Sequence, residues 1–340
     1  MIVAVIGSFI SSHQSSKSFI ITTATPGGTY YPVGVAIGAL ITLKLNKSHD
    51  ITATAITSAG SGENIDMLHN KEADFAILQA LFGALAFRGE GNYKGKPVRD
   101  FRSITVLWEN VEHFVLLSRF AETGNIQDLK DLGGRKFSIG KRGSGTEGSG
   151  RVILGALGVD MNKDILLEFL GYNTSVQSMI DGRVAGANIP AGVPASAITQ
   201  LYAQLGGDKV SVLQITDDQL KAIRDVYPIW FRYIIPANTY PGQKRDIHTI
   251  AQPNFLACRE DLSEETVYWV TRTIYENLNY LRNIHQATQA MSLDNALSGL
   301  PVRLHPGAER YYREQGLSIP DRLVSDREKS KEQSQNDKSS

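Results

Sequence analysis

Apolar residues along this chain fall into short strand-like runs and longer stretches at helical spacing, and the two kinds alternate. Phe19–Thr23 and Ile51–Ile56 predict strands, and Val33–Leu45 between them is apolar at helical spacing. Gly62–His69 predicts a short helix and Phe75–Leu78 a third strand. Phe101–Trp108 and His113–Ser118 predict strands on either side of a short polar break. Ile126–Leu132 then predicts a helix, Lys136–Ile139 a strand, Gly148–Leu157 a helix and Leu166–Leu170 a strand. Such alternation indicates an α/β fold with a mostly parallel sheet. Further on, Asp217–Val226 predicts a helix with Thr216 as N-cap, and Thr249–Cys258 a strand. Between them Tyr227–Gly242, rich in aromatics and prolines, reads as a packed irregular segment. Ser263 is a suitable N-cap for a long helix over Glu264–Asn283, and Leu293–Leu297 and Gly307–Gln315 predict two more helices.

The pattern repeats. Gly62–Leu78 reads helix, polar turn, strand, and Val176–Ile189 reads the same way. Met67-Leu68 aligns with Met179-Ile180, Lys71 with Arg183, Ala73 with Ala185 and Ile77 with Ile189. Each copy follows a glycine cluster by one helix and one strand. The clusters are Thr25-Pro26-Gly27-Gly28-Thr29-Tyr30-Tyr31-Pro32 and Gly143-Ser144-Gly145-Thr146-Glu147-Gly148. A small-residue loop that opens a helix leaves backbone N–H groups free at the positive end of the helix dipole, which suits an anion. Tight turning between strand and helix explains either cluster alone equally well. Two similar lobes with facing loops would bring both clusters to one cleft, at the carboxyl ends of the strands.

Length supports two domains, since 340 residues exceed one comfortable core. Lys+Arg and Asp+Glu are equal at 35 each, so the basic footprint of a nucleic-acid binder is missing. A single cysteine, Cys258, rules out an intrachain disulfide and a Cys-rich metal site, and it reads as a buried strand residue. The seven histidines form no HxH or HxxxH pair, so no metal is expected. Ile2–Ile10 followed by Ser11–Ser16 resembles the apolar region of a secretory signal peptide, although the basic start is missing and the N-terminus reads as truncated or misassigned. Ser325–Ser340 has no apolar residue and is expected to be a disordered tail.

Chemistry is sparse. Gly143, Gly145 and Gly148 fit G-x-G-x-x-G, with Glu168 beyond, so a dinucleotide- or phosphate-substrate-binding α/β enzyme is the alternative reading. A Walker A loop and a G-x-S-x-G elbow do not occur. Ser144 and Thr146 are placed to bond a ligand anion or the helix start. Tyr30 and Tyr31, being adjacent, point in different directions, one to a cleft and one to the core. Gln79 ends the strand at Phe75–Leu78, and Asn188 ends its echo, where polar residues meet ligands. Trp230 reads as a packed aromatic, and His113 lies at a lobe crossing. Polar groups without a nucleophile, metal or acid–base pair suit binding better than catalysis, with no cofactor.

These residues together resemble the solute-binding proteins of TRAP transporters, of the TAXI type. The resemblance covers about residues 18–316. It rests on Gly27–Pro32 with Gly34, Ser58–Asn64, Glu72–Gln79, Gly95–Val98, Asp128–Lys130 to Lys136, Gly143–Glu147, Ile235–Gly242, and Leu304–Ala308 with Tyr311-Tyr312. It implies a two-lobed periplasmic binding protein of type II, a Venus flytrap with hinge strands between its lobes. It implies no enzymatic activity, but capture of a small carboxylate, glutamate-like or dicarboxylate, and delivery to TRAP membrane permease subunits. By motif, Gly28, Thr29, Tyr30 and Tyr31 would meet the ligand from one lobe and Ser144, Gly145 and Thr146 from the other, with Ser58, Gln79 and Asn188 as wall residues. Asn188–Gly192 and Ile229–Arg232 depart from the family pattern and would reshape the pocket. Lobe one is expected over 18–112 plus 250–325 and lobe two over 113–249, with 1–17 a signal-peptide remnant and 326–340 the tail, in a monomer exported to the periplasm.

Overall fold

The computed structural model describes residues 17–325; most of the expected leader and the tail 326–340 lie outside them. The strands, in chain order, are β1 (Lys17–Thr22), β2 (Ile51–Ile56), β3 (Phe75–Gln79), β4 (Phe101–Val111), β5 (Phe114–Leu117), β6 (Arg135–Ser138), β7 (Ile165–Glu168), β8 (Gly186–Asn188), β9 (Val210–Val212), β10 (Phe231–Ile235) and β11 (Ile247–Arg259). They form two sheets. The first runs β10-β11-β3-β1-β2, with β4 on the other edge of β11; the second runs β7-β6-β8-β5-β9.

The two sheets share one plan. In each, three parallel strands (β2-β1-β3; β7-β6-β8) are followed by an antiparallel neighbour, β11 or β5. β3 is buried along its whole length, as its apolar run requires. The repeat is therefore real as an order of elements, but its residue alignment is out by one. Ile21 pairs with Phe75 and Phe137 with Gly186, so Phe75 corresponds to Gly186. The turns agree, because the left-handed residues after the two helices are Lys71 and Gly182. Ile77 thus matches Asn188, and Gln79 matches Pro190. A shift of one exchanges the two faces of a strand, so sequence similarity of apolar residues misplaced the polar ones.

Four other expectations need correction. Tyr227–Gly242 is not wholly irregular: Phe231–Ile235, free of proline, keeps its N–H groups and pairs antiparallel with β11. The helix from Glu264 stops at Glu276, because Asn277 turns out of helical geometry and its side chain donates to Thr273 O at 2.8 Å; Leu278–Arg282 continues as a separate turn of helix. Ile126–Leu132 closes as a tight 3-10 helix. Leu293–Leu297 forms turns, with Asn295 bonded to Ser292 Oγ and Ala290 O. Helices at Ala80–Arg88 and Ser196–Leu205 were not anticipated. Thr216 caps its helix in a full capping box, and Cys258 is buried in β11.

β4 and β11 are long, and they pair with each other from Phe101–Arg259 to Val111–Ala251. Val111, Ala251, Ile235 and Ile247 pack with Val115, Val176 and Ile198 in the core of the second sheet. These strands therefore tie the two sheets together. At the crossing His113 is buried. Its Nδ1 donates to Val111 O (2.9 Å), while Nε2 accepts the Tyr240 hydroxyl (2.7 Å), which in turn accepts Ala195 N–H. Burial lowers the pKa of His113 to about 4, so it stands neutral there.

Candidate functional site

The cleft between the sheets lies where the plan predicts, at the carboxyl ends of the parallel strands. Ala24, Thr25, Gly28, Thr29 and Tyr30 line it after β1, Ala59 to Ser61 after β2, and Gln79 at the end of β3. Facing them are Lys141 and Ser144 to Thr146 after β6, Leu170 to Tyr172 after β7, and Pro190 after β8, with Asn110 of β4 in the floor. The lobes leave little room between them: the space open to a water-sized molecule is about 20 Å³, enough for about one water.

Five helices begin on this cavity. They are Tyr30–His49, Ser61–His69, Ala80–Arg88, Gly145–Ala156 and Tyr172–Ile180. The first N–H groups of a helix have no intrahelical carbonyl to meet, and each start carries roughly half a positive charge. Among the lining residues Lys141, exposed at the rim, is the one charged side chain. The cleft is thus positive through backbone dipoles and nearly free of formal charge.

The two glycine clusters interlock across it. A Cβ on Gly28 would stand 2.8 Å from the Tyr172 ring, and one on Gly145 would stand 2.8 Å from both Gln79 and Ser61 Oγ. Glycine is what lets these surfaces meet. Polar latches join the same surfaces. Gly27 O accepts Ala197 N–H and the Ser196 hydroxyl (3.0 Å each), Thr29 Oγ1 donates to Gly192 O (3.2 Å), and Glu63 N–H donates to Gly143 O (3.2 Å).

The anticipated residues separate into groups. Gly28, Thr29, Tyr30, Gln79, Ser144, Gly145 and Thr146 come together on the cavity. Tyr30 is anchored by its hydroxyl to Asn254 Oδ1 (2.5 Å), and burial raises its pKa well above the ordinary value. Gln79 is 3 % exposed, its N–H bonds Ser61 Oγ (3.0 Å), and its Oε1 makes no hydrogen bond within the protein. Ser144 caps its helix by accepting Glu147 N–H (3.0 Å). Thr146 Oγ1 bonds the Tyr172 hydroxyl (2.7 Å), which donates to Pro190 O (2.7 Å). Tyr31, Ser58 and Asn188 are not in the lining. Tyr31 is half-buried. Ser58 Oγ lies beneath the loop, 2.6 Å from Asn64 Oδ1, and accepts Gly60 N–H. Asn188 lies deeper, its amide bonded to nothing within the protein.

Sequence reasoning passed over Tyr172, Asn110 and Glu112. Tyr172 had a signal, since it opens the helix equivalent to that of Ser61. Glu112, between β4 and β5, is fully buried, and burial raises its pKa to about 7 although Asn188, Ser149 and Trp230 face it and favour its charge. Trp230 is itself buried in the packing, away from the cavity wall.

Fold and cleft together define the architecture: two α/β lobes, each built on a mixed sheet, around one cleft at the carboxyl ends of their parallel strands. The chain belongs to the NMT1-like family, whose model matches residues 21–316. Its backbone is similar to that of periplasmic binding protein BugD, with 13% identity over 89% of this chain and 94% of that one, and a TM-score of 0.52. It is similar also to PhnD1 from Prochlorococcus marinus (MIT 9301), solved in complex with methylphosphonate: 14% identity, 89% of this chain, 99% of that one, TM-score 0.51. At such identities the likeness concerns the fold. Among the described residues no helix is long and apolar enough to cross a membrane.

Proposed function

We propose that this chain is the periplasmic receptor of a TAXI-type TRAP transporter, and that it closes on a small carboxylate and delivers it to the membrane permease subunits. The observation that carries the ligand class is the convergence of five helix starts on a cavity whose one charged lining residue is Lys141. Such a site offers several directed N–H and hydroxyl donors and little formal charge. It suits a monoanion better than a dianion, whose second charge would lack a counter-ion. Three or four charge-assisted bonds of ~1.5–3 kcal/mol each, offset by ordering costs, reach micromolar affinity, about −8 kcal/mol.

In this reading lobe one (18–112 plus 250–325) and lobe two (113–249, apart from β10, which pairs with β11 in the first sheet) rotate about the crossings near β4–β5 and within β11. The open form presents Gly28 to Tyr30, and closure adds Ser144 to Thr146. Closure is driven by the contacts the ligand gains in the closed state alone. The transporter type rests on the motif resemblance over residues 18–316.

A thermal-shift screen tests it. Glutamate, other amino acids, dicarboxylates and methylphosphonate are titrated separately into the full chain. A carboxylate is expected to raise the melting temperature most. A larger shift with methylphosphonate refutes the carboxylate, and saturable micromolar binding of a nicotinamide dinucleotide refutes the receptor.

A further inference from the structure

Glu112 sits where the chain passes from β4 to β5, and neither carboxylate oxygen makes a hydrogen bond within the protein. The side chains turned toward it are neutral. They are Asn188 of β8, Ser149 of the helix Gly145–Ala156, and Trp230 just before β10. The Asn188 amide and Trp230 Nε1 also lack partners. Charged neighbours on the same elements are committed elsewhere: Arg232 to Asp217 and to the carbonyls of Ile215 and Thr249, Arg151 to Glu147. His113 turns to Val111 and Tyr240 and is neutral, and burial keeps Tyr30 and Tyr172 protonated on the cleft side.

An ionised carboxylate buried without a counter-charge is strongly disfavoured. A proton removes the charge and turns one oxygen into an O–H donor, for which the unpartnered Asn188 Oδ1 is an acceptor. The walls that bury Glu112 are also the walls of the cleft. Asn110, two residues earlier, lines it, as does Pro190, two residues after Asn188. Ser149 rides on the helix that begins at Gly145, and Tyr30 closes the near side. Parting the lobes lets water to this wall and returns Glu112 toward ordinary carboxyl behaviour.

We infer that Glu112 is a proton-binding site built into the hinge, occupied in the closed form and emptied as the cleft opens, so that acid favours closure. This rests on the reading of the cleft as one that opens and closes. The closed form binds more protons, so the closed-to-open ratio falls as pH rises. The fall is at most tenfold per pH unit, between the ordinary carboxyl range and about 7.

Small-angle X-ray scattering of the full chain without ligand, at constant ionic strength, tests this at about pH 5 and about pH 7.5. The radius of gyration is expected to rise with pH in the unsubstituted chain and to stay small at both values in Glu112→Gln. A radius that ignores pH, or a Glu112→Gln chain that follows the unsubstituted one, overturns the linkage. Infrared spectroscopy of the unsubstituted chain gives a reading that does not depend on the variant folding. A protonated-carboxyl band lost near neutral pH, and only there, is expected; no such band above about pH 5 overturns the site. If the pH effect stands while every carboxylate fails the thermal-shift screen, the ligand assignment falls and the proton site does not.

Discussion

Replacing Gly62 by alanine separates closure from folding. Gly62 lies in the first turn of the helix Ser61–His69, in ordinary helical backbone. In an open molecule alanine there is favourable, by ~0.5–1 kcal/mol of helix propensity. In the closed structure the new Cβ would stand 2.1 Å from Gly143 O of the opposite lobe, whose same oxygen accepts Glu63 N–H. The obstacle is backbone, so relief requires the lobes to separate by about 1 Å to reach ordinary contact, and the interlobe bond is lost with it. Overpacking of this kind costs about 1–3 kcal/mol, which is roughly 5- to 150-fold in affinity when closure and binding are coupled. The assay pairs ligand-free melting with calorimetric titration of the carboxylate that gave the largest thermal shift. The variant should melt at or above the parent temperature and bind more weakly. Unchanged affinity would refute the interlocking of Gly62 with Gly143; a fall in the ligand-free melting temperature would show that Gly62 supports the fold of its own lobe.

Three further outcomes are expected. Ser144→Ala removes the cap of the helix Gly145–Ala156 and should cost about 1 kcal/mol of stability along with weaker binding, read by chemical denaturation and titration. Tyr240→Phe leaves His113 Nε2 and Ala195 N–H without their shared partner and should destabilise by ~1–3 kcal/mol; an unchanged denaturation midpoint would remove this bond from the hinge's support. Glu112 has a folded pKa raised to about 7 from 4.5, so its native state holds the extra proton and stability is lost as pH rises through that interval. Glu112→Gln should therefore be more stable than the parent above pH 7, by at most about 3 kcal/mol because opening of the lobes relieves part of the penalty, and equal to it near pH 4; a parent more stable than the variant at high pH would contradict the raised value.

Much of the architecture was legible because it is written in periodicity. The α/β alternation, the doubled order of elements and the two glycine loops all survive in the structure, as do the caps at Thr216 and Ser263. What escaped was information that only packing holds. The helix Ala80–Arg88 is apolar on nearly every side and shows no period, since it is buried between β3 and the rest of its lobe. β10 was hidden by the prolines that flank it rather than interrupt it. The repeat slipped by one because Ile77 and Ile189 look alike, whereas the polar Gln79 and Asn188 stand at different depths. Tyr172 and Glu112 belong to no motif; their roles come from a neighbouring lobe and from burial, neither of which is local in sequence.

The arrangement of helix starts around the cleft also bears on the surroundings in which the protein can work. Screening by dissolved ions acts on exposed, separated charges and hardly on short bonds inside a closed cavity. A receptor that seizes anions with arginine or lysine clusters loses grip as salinity rises. Here Lys141 at the rim is the one lining side chain exposed to that effect, and the rest of the hold comes from backbone N–H groups and hydroxyls. Affinity should stay nearly level from dilute to saline media. The same economy of charge forgoes long-range attraction, so solute is gathered by unguided collision rather than drawn in from a distance.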